Sequence, residues 1–334
     1  MKIGVIGTGT WGTALAQTLV DNGNEVLMWG RDNSQVIDIN KNHQNSHYFS
    51  SDIVLSKKIK ATNNLKEFAN KTSIVILSIP TVAMREVLEE YKTYLTRKTL
   101  FINTAKGFDP KTNKRMSEII REIIPESLRG EIVSLIGPSH AEEVILRHIT
   151  AVCAVSKSTT SAKRIQKLFS NEYFRVYSLK DEVGAEIGVA MKNAIAIASG
   201  ILDGLGYGDN AKAALVTRGL VEIISFGKAF GGKERTYLGL TGIGDLMVTC
   251  NSKHSRNYRC GYEIGKYDSA INFYNEMKDM TVEGIRTTEV IHNIAKEMNI
   301  DVPIVNALYE VLYNNAKPSE IAKYLMTRPL KSEF

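Results

Sequence analysis

One lysine interrupts an otherwise apolar stretch. Gly184 to Gly200 reads Gly-Ala-Glu-Ile-Gly-Val-Ala-Met-Lys-Asn-Ala-Ile-Ala-Ile-Ala-Ser-Gly, and Lys192 is its only basic residue. Apolar on nearly all sides, the stretch predicts a buried helix. An ammonium inside such a helix is costly unless it is paired or neutralised. Desolvation also lowers a lysine pKa, which moves it toward acid–base work. Lys192 is therefore a candidate proton carrier; snorkelling, or a plain pair with Glu186, is the bland alternative. Three further segments carry donors in useful spacing. Asn103-Thr104-Ala105-Lys106-Gly107-Phe108 follows a strand, with Lys106 placed to touch substrate or cofactor or simply to stay solvated. Gly137-Pro138-Ser139-His140-Ala141-Glu142-Glu143 offers backbone N–H groups and the Ser139 hydroxyl, and His140 is given no chemistry. Leu240-Thr241-Gly242-Ile243-Gly244-Asp245 reads as a glycine-rich turn that presents Asp245. His254-Ser255-Arg256-Asn257 is a donor-rich patch suited to a phosphate, above all if it opens a helix.

A phosphate motif stands at the other end of the chain. Gly7-Thr8-Gly9-Thr10-Trp11-Gly12 follows the apolar run Ile3-Gly4-Val5-Ile6 and opens Thr13-Ala14-Leu15-Ala16. Glycines in a strand-to-helix turn form a dinucleotide fingerprint. Gly7 permits the turn, Gly9 lets backbone approach the pyrophosphate, and Gly12 lets helix and strand pack closely. The next strand ends in Trp29-Gly30-Arg31-Asp32. An acid there suits the ribose hydroxyl of NAD, and an arginine suits the extra phosphate of NADP. Arg31 also suits adenine stacking, and Asp32 also suits a helix cap, so both cofactors stay open.

These residues need a scaffold. Strand candidates are Lys2–Ile6, Glu25–Trp29, Ser73–Ile79, Thr99–Asn103, Glu131–Ile136, Thr150–Val155 and Phe174–Tyr177. Helix candidates lie between them, near Trp11–Asp21, Asn33–Lys41, Thr81–Tyr91, Lys114–Ile124 and Ser161–Phe169. Such alternation predicts a mostly parallel sheet with helices on its faces. From Asp181 onward helical periodicity dominates, in Glu186–Leu202, Ala211–Phe230, Glu283–Met298 and Pro303–Tyr313. The expected organisation is an α/β Rossmann-type domain over 1–180 that binds the dinucleotide. An all-helical substrate-binding and catalytic domain follows over 181–334.

Bulk properties exclude several classes. The 334 residues are 43% hydrophobic and 23% charged, ordinary for a globular protein. Apolar runs such as Ser73 to Pro80 are too short to span a bilayer, and the N-terminus lacks the form of a signal peptide. A cytoplasmic protein is expected. Cys153, Cys250 and Cys260 make no disulfide framework. Cys250, His254 and Cys260 match no common zinc spacing, so no metal is expected. The formal charge of +6 comes from scattered Lys and Arg with no basic run. That argues against nucleic acid and for anionic small molecules.

Together these segments resemble the bacterial-type NAD(P)-dependent glycerol-3-phosphate dehydrogenases. The stretches that carry the resemblance are GTGTWGTALA at 7–16, SIPTVAMREVL at 78–88, AKGF at 105–108 and GPSHAEEV at 137–144. With them go EIGVAMKNAIAIASGILDGLGYGDNAKAAL at 186–215, GLTGIGDLMVTCNSKHSRNYRCG at 239–261 and VEGIRTTEV at 282–290. The resemblance implies reversible reduction of dihydroxyacetone phosphate to sn-glycerol 3-phosphate for phospholipid synthesis, with NADP(H) or NAD(H), by a homodimer. It implies that Thr10, Trp11, Arg31, Tyr48 and Ala141 contact the dinucleotide, beside Gly7, Gly9, Gly12 and Asp32. It implies that Thr281, Val282 and Glu283 close over the nicotinamide end. Substrate would be held by Lys106, Gly137, Ser139, Asp245, Ser255, Arg256 and Asn257, with Lys106 and Arg256 also touching cofactor. Lys192 would donate and accept the proton. Rival readings are a two-domain reductase for a β-hydroxy acid or ketopantoate, and a dinucleotide-binding regulator without catalysis. The HSRN patch and the GPSHAEEV turn oppose the first; Lys192, Lys106 and Asp245 together oppose the second.

Overall fold

Short β-branched runs in the first half of the chain pair into one eight-stranded sheet in the computed structural model, which describes residues 2–271, 282–330 and 332–333. The strands are β1 Lys2–Ile6, β2 Val26–Trp29, β3 Ile59–Thr62, β4 Thr72–Leu77, β5 Thr99–Asn103, β6 Arg129–Ile136, β7 Thr150–Val155 and β8 Phe174–Leu179. Their order is β3-β2-β1-β4-β5-β6-β7-β8, and every pairing is parallel except β6 with β7. Central strands are apolar at successive positions because both faces are covered. On β4, Ile76 joins one core cluster with Val5 of β1 and with Ala14, Leu15 and Leu19 of helix Thr10–Asp21. Its neighbours Val75 and Leu77 join the other, with Met84, Leu88 and Tyr91 of helix Thr81–Lys92 and Ile119 and Ile120 of helix Met116–Ile123. The edge strand β8 instead alternates, exposing Arg175 and Tyr177, whose ring lies 5.3 Å from the guanidinium.

The chain divides into two compact units, Met1–Glu182 and Val183–Phe334. Among its described residues the second is built from helices. Helix Glu182–Gly204 has the length and apolar composition of a membrane span, which the run-by-run reading of the sequence overlooks. Yet 89% of its apolar window is buried inside the protein, so it is a core helix. Helix Arg256–Lys266 lies against it at backbone distance. A Cβ on Gly200 would stand 2.1 Å from the Tyr258 carbonyl oxygen, and one on Gly204 would stand 2.2 Å from that of Tyr262. Reciprocally, a Cβ on Gly261 would stand 1.9 Å from the Ile197 carbonyl oxygen, and one on Gly265 would stand 2.3 Å from that of Ile201. Both helices advance in the same direction along this contact, so they run parallel.

A buried carboxylate ties two other helices. Glu222, on helix Asp209–Ala229, accepts hydrogen bonds from the Ile304 and Val305 amides at 2.7 and 3.2 Å. These are orphan donors in the first turn of helix Pro303–Tyr313. Burial pushes the Glu222 carboxyl up to about 8, with Asp301 adding to the rise and the two amides and Arg328 opposing it. The folded chain thus holds this proton more tightly than the unfolded chain, whose glutamates titrate near 4.3. The stabilising contribution is complete below that value and is lost as pH rises toward about 8. Glu222→Gln removes the titration and one acceptor. It should cost about 1 kcal/mol at low pH, and the gap to the wild type should narrow as pH rises. Denaturant unfolding at several pH values between about 5 and 8 checks this; parallel stability curves would show that Glu222 ionises normally.

Candidate active site

Strands β1 to β6 share one direction, so the segments after β1, β2, β5 and β6 leave the same edge of the sheet, where such sheets bind ligands. The glycine loop after β1 shows three distinct physical roles. Gly7 has φ +114°, and a Cβ there would lie 2.2 Å from the Ser78 carbonyl oxygen. Gly12 packs on the Gly7 carbonyl, 2.3 Å from where its own Cβ would be. Gly9 is different: φ is −73° and nothing lies within 4 Å of a Cβ built there. No protein contact requires glycine at that position, so the space is available to something outside the chain. Gly9 is also the N-cap of helix Thr10–Asp21, with no side-chain cap and no acid in the first turn. An open helix N-terminus beside an empty Cβ position fits a pyrophosphate. Trp11, half-buried in that first turn, keeps its Nε1 buried with no acceptor among the described residues.

A residue that the sequence reading did not single out holds this loop. Asn45, buried, donates from Nδ2 to the Thr8 carbonyl at 2.8 Å and to the Thr13 hydroxyl at 2.9 Å. Thr8 in turn donates to Gln35 at 2.6 Å. Gly30, at the end of β2, makes room for the Thr8 side chain. The next two residues are already engaged. Exposed Arg31 pairs with Glu86 at 2.8 Å, and Asp32 caps helix Asn33–Lys41, accepting from the Ser34 amide at 2.8 Å. Those Ser34 bonds hold the Asp32 carboxyl below its ordinary value. Tyr48 is exposed, its ring edge-on to His47 at 4.6 Å. After β5 and β6, Lys106 Nζ and Ser139 Oγ both donate to the Gly137 carbonyl, at 3.1 and 3.0 Å. The structure thus gathers these three predicted residues at one point. Ala141 follows as the buried first residue of helix Ala141–Ile145.

In the second unit Lys192 is buried, and its Nζ donates to Asp245 Oδ1 and Thr249 Oγ1, both at 2.6 Å. The side chains of Lys192 and Asp245 are 5% and 1% exposed, so this is a desolvated ion pair. The segment read as a glycine turn, Leu240–Gly244, is instead a π-helical turn running into helix Asp245–Asn251. Its glycines serve contact: Gly242 abuts the Tyr237 backbone, and the Thr241 carbonyl abuts Gly188 at 2.7 Å from its would-be Cβ. One helical turn beyond that contact, on both segments, Lys192 meets Asp245. Wide turns of this kind re-aim a helix and recur at functional sites.

Ser255 is the N-cap of helix Arg256–Lys266, accepting from the Tyr258 amide at 3.2 Å. Arg256 is exposed and makes no ion pair among the described residues. Asn257 Oδ1 accepts from the Gly284 amide at 2.9 Å, at the start of helix Glu283–Met298, where Val282 is the buried N-cap residue and Glu283 the half-buried first residue. A Cβ on Gly284 would meet both the Asn193 carbonyl at 2.6 Å and Asn257 Oδ1 at 2.8 Å. The turn that bears Lys192 and the donor-rich helix end are therefore neighbours, as the parallel glycine contact requires. Thr281 lies outside the described residues. The three cysteines are buried; burial pushes Cys153 to about 11 and Cys250 to about 12, so both remain thiols at neutral pH.

A family model described as NAD-dependent glycerol-3-phosphate dehydrogenase N-terminus matches residues 2–162, and its C-terminal counterpart matches residues 181–323. The chain is 50% identical over 332 residues to a glycerol-3-phosphate dehydrogenase (NAD(P)+) of Staphylococcus haemolyticus, covering 99% of each. Among solved structures, a glycerol-3-phosphate dehydrogenase from Coxiella burnetii superposes with a TM-score of 0.91 at 30% identity, covering 98% of this chain and 99% of that one. The Plasmodium falciparum enzyme superposes with a TM-score of 0.90 at 26% identity, covering 99% and 97%.

The empty position at Gly9 makes a sharp expectation. Gly9→Val should fold with a loss under about 1 kcal/mol, the cost of a poorer N-cap, while dinucleotide affinity collapses. Fluorescence titration with reduced dinucleotide checks it; unchanged affinity in a folded variant would remove the loop from the cofactor site.

Proposed function

The chain belongs to the NAD-dependent glycerol-3-phosphate dehydrogenase family, and on that premise we propose that it interconverts dihydroxyacetone phosphate and sn-glycerol 3-phosphate with Lys192 as proton donor and acceptor. It is an NAD(P)-dependent oxidoreductase. The single observation that carries the mechanism is the buried Lys192–Asp245 pair. When bound, the reduced nicotinamide supplies hydride to the carbonyl carbon. As charge builds on the carbonyl oxygen, the Lys192 ammonium gives it a proton and the neutral amine stays hydrogen-bonded to Asp245 and Thr249. In the oxidising direction the amine takes the hydroxyl proton back. Asp245 keeps the lysine cationic and aimed before the reaction begins.

The remaining roles follow from chemistry at each position. The phosphate is taken by the Ser255–Asn257 helix end, where Arg256 has a guanidinium to spend and the first-turn amides favour an anion. Lys106, Gly137 and Ser139 contribute donors and a carbonyl to substrate, and Lys106 also to cofactor. Gly7, Gly9, Thr10, Trp11, Gly12, Arg31, Asp32, Tyr48 and Ala141 bind the dinucleotide, Arg256 touches it, and Thr281, Val282 and Glu283 close over its nicotinamide. The protein works in the cytoplasm as a homodimer and feeds phospholipid synthesis. Loss of the reduced-nicotinamide absorbance on adding dihydroxyacetone phosphate tests the reaction directly, and sedimentation tests the dimer.

Lys192→Met should cut turnover by roughly 10² to 10⁴. It also strands the buried Asp245 carboxylate, at a cost of about 3–5 kcal/mol in stability. Adding Asp245→Asn should restore stability without restoring turnover. A Lys192→Met protein with near-normal turnover would make the lysine structural. For cofactor choice, Arg31→Ala should weaken NADPH by about 1.5–3 kcal/mol and NADH much less. Equal losses in paired titrations would point to adenine stacking instead.

A further inference from the structure

Three helices of the second unit converge on one carboxylate that the reaction above does not use. Asp203, near the end of helix Glu182–Gly204, accepts hydrogen bonds from the Tyr258 hydroxyl and from Lys212 Nζ, the latter at 2.6 Å. Lys212 belongs to helix Asp209–Ala229, and its ammonium also lies 5.8 Å from the Tyr258 ring centroid. Both charged side chains are 18% exposed, so water screens the pair only partly. Burial and the hydrogen bond to Asp203 raise the Tyr258 phenol above its ordinary value, which keeps it a donor at neutral pH.

Tyr258 is the third residue of helix Arg256–Lys266, directly after Arg256 and Asn257. It is held at three points. Its amide donates to the Ser255 cap, its carbonyl faces Gly200 at backbone distance, and its phenol is fixed by Asp203. The first turn of a helix frays easily, because its amides lack partners within the helix. Exposed Arg256 brings no rigidity of its own. An anion site of amides and one guanidinium binds well only if its geometry is set beforehand.

We propose that Asp203 and Tyr258 are positioning residues for phosphate recognition: they pin the first turn of helix Arg256–Lys266 and so fix where Ser255–Asn257 stands relative to Lys192. Neither touches substrate. The inference rests on reading that helix end as the phosphate site.

The test compares the wild type with Tyr258→Phe, Asp203→Ala and Asp203→Asn in the full chain. Tyr258→Phe and Asp203→Ala should raise KM for dihydroxyacetone phosphate about 10- to 100-fold, the penalty of a misplacement on the order of 1 Å. The dissociation constant of the reduced dinucleotide, which Arg256 also touches, should move far less than that KM. Turnover of unphosphorylated dihydroxyacetone, slow in every case, should match the wild type, because only the phosphate end is loosened. Asp203→Asn keeps an acceptor for the phenol and should recover part of the loss. Equal losses on both substrates would make the cluster merely structural, and an unchanged KM would likewise overturn the proposal. If the wild type itself does not prefer the phosphate ester, the phosphate reading falls and this proposal with it. If the preference holds and the variants are silent, only the positioning role falls. Should Asp203→Ala fail to fold, Tyr258→Phe, which deletes one oxygen atom, carries the comparison alone.

Discussion

An ammonium and a carboxylate held out of water at 2.6 Å dictate how the segments of the second unit that carry them must meet. Taking both ions from water costs several kcal/mol each, and their attraction returns that only in good geometry. The pair is therefore a poor source of net stability and a strong demand on its surroundings. Gly188 must lack a side chain so that the Thr241 carbonyl can approach, and the π-helical turn must bring Asp245 round one turn later. Thr249 completes the lysine's coordination while also donating to the Asp245 backbone carbonyl at 2.6 Å. Stability comes instead from the apolar contacts around it, such as Ala194, Ile197 and Ile201 packed on Cys260, Ile264 and Leu308.

The first unit handles charge in the opposite way. Its glycine loop presents backbone amides and no fixed cation in the first turn of the helix. Neutral dipoles of this kind bind an anion without the desolvation cost of a buried ammonium. The positive formal charge of +6 acts at longer range, drawing anionic ligands toward the protein before contact. Dinucleotide and phosphate ester are both anions, so one electrostatic bias serves both.

The sheet was largely legible from sequence because its strands are buried on both faces and read as continuous β-branched runs. The edge strand β3 was not, since Ile-Lys-Ala-Thr is four residues long with one outward lysine. Helix Arg256–Lys266 was hidden for another reason. Its buried positions include Gly261 and Gly265, which look like breakers in one dimension and are contact residues in three. The same misreading made a glycine-rich turn of Leu240–Gly244, which is π-helical. Lys192 stood out because one charge in an apolar helix is a local anomaly. Its partner was less visible, since the pairing with Asp245 spans 53 positions and no local pattern reports it. Asn45, Asp203 and Tyr258 carry no anomaly of composition at all; their importance is purely a matter of what folding places beside them.

The reversal between β6 and β7 has a consequence for how the chain can change. Strands β7 and β8 run against the first six, so the segments that follow Val155 and Leu179 emerge at the far rim of the sheet. Within the first unit, the short bend after Val155 therefore stands at the opposite rim from Gly9, Arg31 and Lys106. The bend at Ser156–Ser158, with exposed Lys157 at its tip, is thereby released from the chemistry. It is a natural place for insertions to accumulate over evolutionary time, and for an affinity handle to be spliced in, without disturbing turnover.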